Sequence, residues 1–127
     1  MLPESYDIAA TAETPAVILD ASAGVYRIEG RSLPENAHKF YQPFIDWFVR
    51  LLETPGRQLE LELYLDYYNS STGRYLMELM LALEEHSNTS NVGILWKADA
   101  DDDIMLEKGE EFRQLLKIPV QVKALES

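Results

Sequence analysis

Apolar and polar residues alternate from 57 to 68. Leu59, Leu61, Leu63, Leu65 and Tyr67 fall on one side; Glu60, Glu62, Tyr64, Asp66 and Tyr68 fall on the other. A period of two predicts a strand with one face in a core. Further along, Leu76, Leu79, Met80 and Leu83 recur at helical spacing in a run rich in Leu, Met, Ala and Glu, which predicts a helix ending near Ser87. The period changes across Asn69-Ser70-Ser71-Thr72, so three hydroxyls and an amide stand where a helix begins.

The remaining pattern predicts the elements around this pair. Residues 1–13 read as a loose lead-in. Strands at 16–19 and 25–29, separated by the turn Asp20-Ala21-Ser22-Ala23-Gly24, predict a hairpin. Ser32-Leu33-Pro34-Glu35 has the spacing of a capping box, and the helix it opens is expected to reach about Glu53, where Thr54-Pro55-Gly56 stops it. That helix is rich in aromatics (Phe40, Tyr41, Phe44, Trp47, Phe48), and Pro43 inside it is expected to remove a hydrogen bond or bend it. A buried strand at 92–96, an acidic run at 99–103, a helix carrying Met105, Phe112, Leu115 and Leu116, and a last strand at 119–124 complete the chain. The order ββαβαβαβ predicts a single α/β domain over 14–127. Its mixed sheet has about five strands with the antiparallel hairpin at one end, three main helices, and the leucine-rich strand in the interior.

Composition narrows the function. A chain of 127 residues supports one core. Its formal net charge of −11 argues against nucleic acid or an anionic membrane as partner and favours a protein with basic patches. With no cysteine there is no disulfide, thiol nucleophile or zinc–thiolate site, which fits a reducing cytoplasm. Neither a signal-type leader nor a membrane-spanning apolar run is visible, so a cytoplasmic protein without cofactor or metal is expected.

Two readings of the Asn69–Thr72 junction stand side by side. Asn or Ser there caps a helix whose first N–H groups lack partners. The same N–H groups and the positive end of the helix dipole also make an anion site. A phosphoryl group on Ser70, or on Ser71 or Thr72, would add about −1.5 to −2 charges, with Asn69 and Arg74 as supporting residues. Catalytic readings find less footing. His38 and His86 are the only imidazoles, and His86 lies about 24 Å from Ser70 if both share one helix. Asp99, Asp101, Asp103 and Glu110 have the spacing of a calcium-binding loop, but Ile104 stands where that loop needs glycine. The alternative function is a small acidic metal-dependent enzyme using Asp66 or the 99–103 carboxylates.

Pro34-Glu35-Asn36, Phe40-Tyr41, Pro43 and Trp47, then Tyr67-Tyr68-Asn69-Ser70-Ser71, then Trp96, the acidic run, Met105-Leu106-Glu107 and Gly109-Glu110-Glu111-Phe112 follow one another in order. These blocks resemble those of SiaC-type bacterial regulatory phosphoproteins, over roughly 14–122. The resemblance implies a STAS-like fold, that of anti-sigma-factor antagonists, with a phosphorylatable hydroxyl at the strand-to-helix junction. It implies a dedicated kinase and a PP2C-type phosphatase, and a diguanylate cyclase or other regulated protein bound by the unmodified form. The family's phosphothreonine falls on Ser70, a departure that keeps the hydroxyl. Tyr68, Tyr75, Tyr41 and Trp47 are the aromatics expected to offer a partner surface beside it.

Overall fold

A computed structural model describes residues 2–126. Its nine elements are β1 (Tyr6–Ile8), β2 (Ala16–Asp20), β3 (Val25–Ser32), α1 (Ala37–Leu51), β4 (Gln58–Tyr68), α2 (Ser70–Glu85), β5 (Asn91–Asp99), α3 (Asp103–Leu115) and β6 (Val120–Leu125). The strands form one sheet in the order β1-β2-β3-β4-β5-β6. β1, β2 and β3 pair antiparallel, and β3 through β6 pair parallel.

Three successive crossovers step in the same direction across the parallel half. Because such crossovers are right-handed, all three helices must lie on one face of the sheet. The burial pattern agrees. Val17, Leu19, Tyr26, Ile28, Leu61, Leu63, Ile94 and Trp96 are buried on the helix side. The other face carries charge instead: Glu62 takes Arg27 at 3.0 Å and Lys97 at 3.3 Å. Partial burial pushes the Glu62 carboxyl up, but the hydrogen bonds and charges of Arg27 and Lys97 outweigh it and hold the pKa below the ordinary value. β4 is interior, as its leucine face requires.

The structure corrects four expectations. Part of the expected loose lead-in is tied down: Tyr6–Ile8 pairs with β2, the Tyr6 ring meets Phe44 edge-on at 5.6 Å, and the Trp47 indole N–H donates to the Glu4 carbonyl at 2.6 Å. A three-residue strand is too short to show a period, so only its tertiary partners reveal it. The sheet therefore has six strands rather than five. Ser32 does not cap α1; it ends β3 and is buried, and Asn36 is the cap, accepting from the Lys39 N–H at 3.0 Å. α1 also stops at Leu51 rather than Glu53. Pro43 leaves the helix assignment unbroken, its missing N–H falling beside the exposed Lys39 turn.

α3 docks through an interlock of the smallest and largest residues. Trp96 is fully buried, donates its indole N–H to the Met105 carbonyl at 2.8 Å and stacks obliquely on Phe112 at 5.2 Å. A Cβ added to Gly109 would lie 2.9 Å from both Cγ and Nε1 of that ring. Gly109→Ala should therefore lose about 1–3 kcal/mol through overpacking. Denaturant unfolding should show the shift, accompanied by changed tryptophan fluorescence; a wild-type midpoint would contradict the interlock.

Candidate functional site

The strand-to-helix junction begins with a break in the alternation of β4. β3 pairs Gly30 with Leu65 but Arg31 with Tyr67, so Asp66 is an extra residue and the register shifts there. A bulge turns every later side chain to the opposite face. Tyr67, expected inside, is 50% exposed, and Tyr68, expected outside, is 9% exposed. The Arg31 guanidinium lies over the Tyr67 ring at 5.7 Å.

The turned-in Tyr68 forms the floor on which α2 starts. A Cβ on Gly73 would sit 3.0 Å from the Tyr68 ring, so the first turn of α2 lies close upon it. From the other side the Lys108 ammonium stands 5.1 Å from the ring centroid. Burial raises the Tyr68 phenol to about 12, and the nearby Glu111 charge adds to the rise.

The four residues of the junction divide sharply. Asn69 is the N-cap of α2, its side-chain oxygen accepting from the Thr72 N–H at 2.9 Å. Ser70 and Ser71 are exposed, whereas Thr72 is fully buried. The Thr72 hydroxyl donates to the Ser32 carbonyl at 3.2 Å and lies 2.9 Å from the Ser32 hydroxyl, which is 2.6 Å from the Tyr41 hydroxyl. One proton order satisfies all three groups: Tyr41 donates to Ser32, Ser32 to Thr72, and Thr72 to the Ser32 carbonyl. Burial pushes the Tyr41 phenol up to about 12, opposed by its hydrogen-bonding surroundings at Ser32 and Thr72, so it remains a donor at neutral pH. The chain of hydroxyls ties α1, β3 and α2 together beneath the exposed serines.

The other residues expected at this site fall as follows. Tyr41 and Trp47 are core residues, at 0% and 5% exposure, and with the turned-in Tyr68 they offer no surface. This corrects the expectation of a four-aromatic partner face. Tyr75 stays half-buried, its hydroxyl 3.0 Å from Nδ1 of His38 on α1. Arg74 is at the surface beside Glu78 at 3.6 Å and over the Tyr75 ring at 6.0 Å. Neither histidine meets Ser70: His38 is engaged by Tyr75, and His86 closes the far end of α2 against the Ala82 carbonyl.

The acidic residues have separate tasks. Asp102 caps α3 by accepting from the Met105 N–H at 3.1 Å, Asp103 sits in its first turn, and Glu110 pairs with Arg113 at 2.9 Å. Asp66, Asp99 and Glu29 edge a shallow hollow on the open sheet face, where the Tyr64 hydroxyl donates to Asp99. Among the described residues no group of three or more His, Cys, Asp or Glu side chains has the arrangement to hold a metal ion. Among them too, no helix is long and apolar enough to cross a membrane.

The sequence model for SiaC family regulatory phosphoproteins matches residues 8–125. The chain belongs to the SiaC family. An uncharacterized protein of Pseudomonas aeruginosa strain UCBPP-PA14 is 36% identical over 118 residues, covering 92% of this chain and 94% of its own. The crystal structure of apo-SiaC from Pseudomonas aeruginosa superposes with a TM-score of 0.87 at 33% identity, covering 96% of this chain and 100% of that one. SiaC from the same organism in complex with the diguanylate cyclase SiaD, which it activates, matches with a TM-score of 0.87 at 34% identity, over 94% and 99% of the two chains. The SiaC fold thus extends over nearly this whole chain, junction included.

Tyr67 and Gly73 lie in the stretch that the sequence marks, but the outward turn of Tyr67, the close approach of Gly73 to Tyr68 and the part that Ser32 plays were not legible. Ser32 has the neighbours of a cap, and the bulge that exchanges Tyr67 and Tyr68 leaves no mark in hydropathy, since both are tyrosines.

Thr72→Val should cost about 1–3 kcal/mol, because it leaves the buried Ser32 hydroxyl without its acceptor. Unfolding in denaturant measures this, and Ser71→Val, an exposed site, should change stability by less than about 0.5 kcal/mol.

Tyr41 and Tyr68 also predict an alkaline weakness. Both hold their protons to about 12 when folded, against an ordinary value of 10.0. Their stabilising effect is fully present below pH 10 and is lost as pH rises toward 12, by about 1.4 kcal/mol per pH unit for each group. Absorbance titration should show late-ionising phenols in the native protein, one fewer in Tyr41→Phe.

Proposed function

We propose that this chain is a non-catalytic regulatory protein whose surface is switched by reversible phosphorylation of Ser70, and that its unmodified form binds and regulates a diguanylate cyclase in the cytoplasm. The observation that carries the reading is the division within the junction: a hydroxyl presented to solvent at the start of α2, two residues before one buried in the fold. At about 100° per residue, Ser70 leaves the helix almost opposite the inward-facing Thr72, while Ser71 shares the flank of Tyr75, whose hydroxyl meets His38 of α1. Ser70 is therefore the hydroxyl most open to a kinase and to a PP2C-type phosphatase. Membership of a family of regulatory phosphoproteins and the SiaC–SiaD complex of the Pseudomonas aeruginosa relative support the same assignment.

The chemistry is a local change of charge on a surface that does not yield. Among the described residues the backbone N–H groups of Ser70 and Ser71 have no hydrogen-bond partner, so the helix start can accommodate a phosphate. Arg74 exchanges a weak surface pair with Glu78 for a charge-assisted one. The hydroxyl chain below keeps the backbone in place, so the modification alters what a partner meets. A partner fitted to a small neutral hydroxyl would have to desolvate a dianion.

Ser70→Ala is expected to bind the cyclase as the unmodified protein does and to escape control by the kinase. Ser70→Asp should lose binding by at least about tenfold, equivalent to 1.4 kcal/mol, with a wild-type melting profile. Titration calorimetry with purified cyclase, and mass spectrometry of the kinase-treated protein, measure both. Phosphate on Ser71 with Ser70 unmodified, or wild-type binding by a folded Ser70→Asp protein, would reject the mechanism.

A further inference from the structure

We infer that this chain associates with copies of itself head to tail: β6 of one molecule receives β1 of the next, and the sheet continues across the contact. Ser70, just beyond the interior strand β4, takes no part in it.

Both edges of the sheet are open. Among the described residues β1 pairs only with β2, and β6 only with β5. Each therefore carries backbone N–H and C=O groups directed away from the sheet, the usual template for an added strand. Their directions agree. β1 and β3 are each antiparallel to β2, and β3 through β6 are parallel, so β1 runs the same way as β6. A second molecule in the same orientation, turned only by the sheet twist, can lay its β1 beside β6.

The side chains match as the backbones do. Val120 and Val122 pair with the buried Ile94 and Trp96 and stand on the helix side, while Gln121 and Lys123 stand on the open face. On β1, Tyr6 and Ile8 pack against the core from the helix side, and Asp7 is exposed on the open face. With Asp7 beside Lys123, Tyr6 falls beside Val122 and Ile8 beside Ala124. Tyr6, Ile8 and Val122 are only half-buried in the single molecule, and the contact covers all three.

Charge selects which edges meet. Residues 1–26 hold Glu4, Asp7, Glu13 and Asp20 and no lysine or arginine; residues 112–125 hold Arg113, Lys117 and Lys123 and no acid. Two β1 edges would set acid against acid and two β6 edges base against base, so neither two-fold dimer is favoured. A lysine on an edge strand ordinarily turns a second strand away. Here the opposite edge of the same chain carries the carboxylate that meets it. A contact between two different edges does not close on itself, so it builds open chains rather than dimers. β1 has only three residues, and the net charge of −11 on each molecule opposes association, so the contact is weak and needs a high concentration.

Sedimentation velocity of the whole chain from micromolar to millimolar concentration measures it. The wild-type protein should grow past the dimer as concentration rises. Asp7→Lys and Lys123→Glu alter exposed side chains, so both should fold, and each alone should associate at least about tenfold more weakly. An equimolar mixture of the two should regain wild-type association, because each variant then meets an edge of opposite charge on the other. Amide resonances of the concentrated wild-type protein should shift at residues 4–8 and 120–125. A wild-type protein that stays monomeric or stops at a closed dimer would overturn the head-to-tail contact. So would variants that associate like wild type, a mixture no better than its components, or shifts at 120–125 without shifts at 4–8.

Discussion

Three buried hydroxyls hold the working end of this molecule. Tyr41 on α1, Ser32 at the end of β3 and Thr72 in the first turn of α2 lie far apart in sequence but within hydrogen-bonding distance of one another. Each polar group removed from water there is satisfied by the next, so the network specifies one arrangement without leaving an unpaired group. It also brings the Asn69 N–H to the Ser32 carbonyl at 3.3 Å, which closes the end of β4 onto β3. The backbone that carries Ser70 and Ser71 is fixed before any partner arrives.

On the function proposed above, that fixation is what would make a phosphate on Ser70 legible to another protein. A phosphate on a mobile loop would be averaged over many positions; on the first residue of a capped helix it has one. The bulge at Asp66 contributes to the same end. It turns Tyr68 inward under α2, where Gly73, lacking a Cβ, approaches the ring closely and Lys108 lies over it. At the far side of α3, Gly109 performs the matching service for Trp96. Two glycines let two large aromatic rings lie directly against helix backbones.

The charge of the chain is organised in keeping with this. On the open sheet face Arg27, Glu62 and Lys97 compensate one another. Around α3 the carboxylates are used for capping at Asp102 and for a local pair at Glu110, while Glu107 and Glu111 face solvent. Among the described residues these carboxylates are spread over separate tasks and form no cluster that could hold a metal ion.

Sequence alone determined the elements whose pattern is long compared with their period. The leucines of β4, the helical run after Thr72 and the parallel crossovers follow from hydropathy spacing, and so does the junction where one period replaces the other. The hydroxyl-rich Asn69–Thr72 segment was legible as a helix start because its chemistry is local: a cap acts on N–H groups two or three residues away. What tertiary structure alone decided involves partners distant in the chain. Tyr6–Ile8 became a strand only because β2 lay beside it, and Ser32 left its capping role because Tyr41 and Thr72 claimed its hydroxyl. The burial of Thr72 is of the same kind, since Ser70, Ser71 and Thr72 all carry a hydroxyl and only the fold says which one it buries. Tyr67 and Tyr68 state the case most plainly: identical side chains, adjacent in sequence, exchanged the inward and outward faces through one extra residue in the register of β4 against β3.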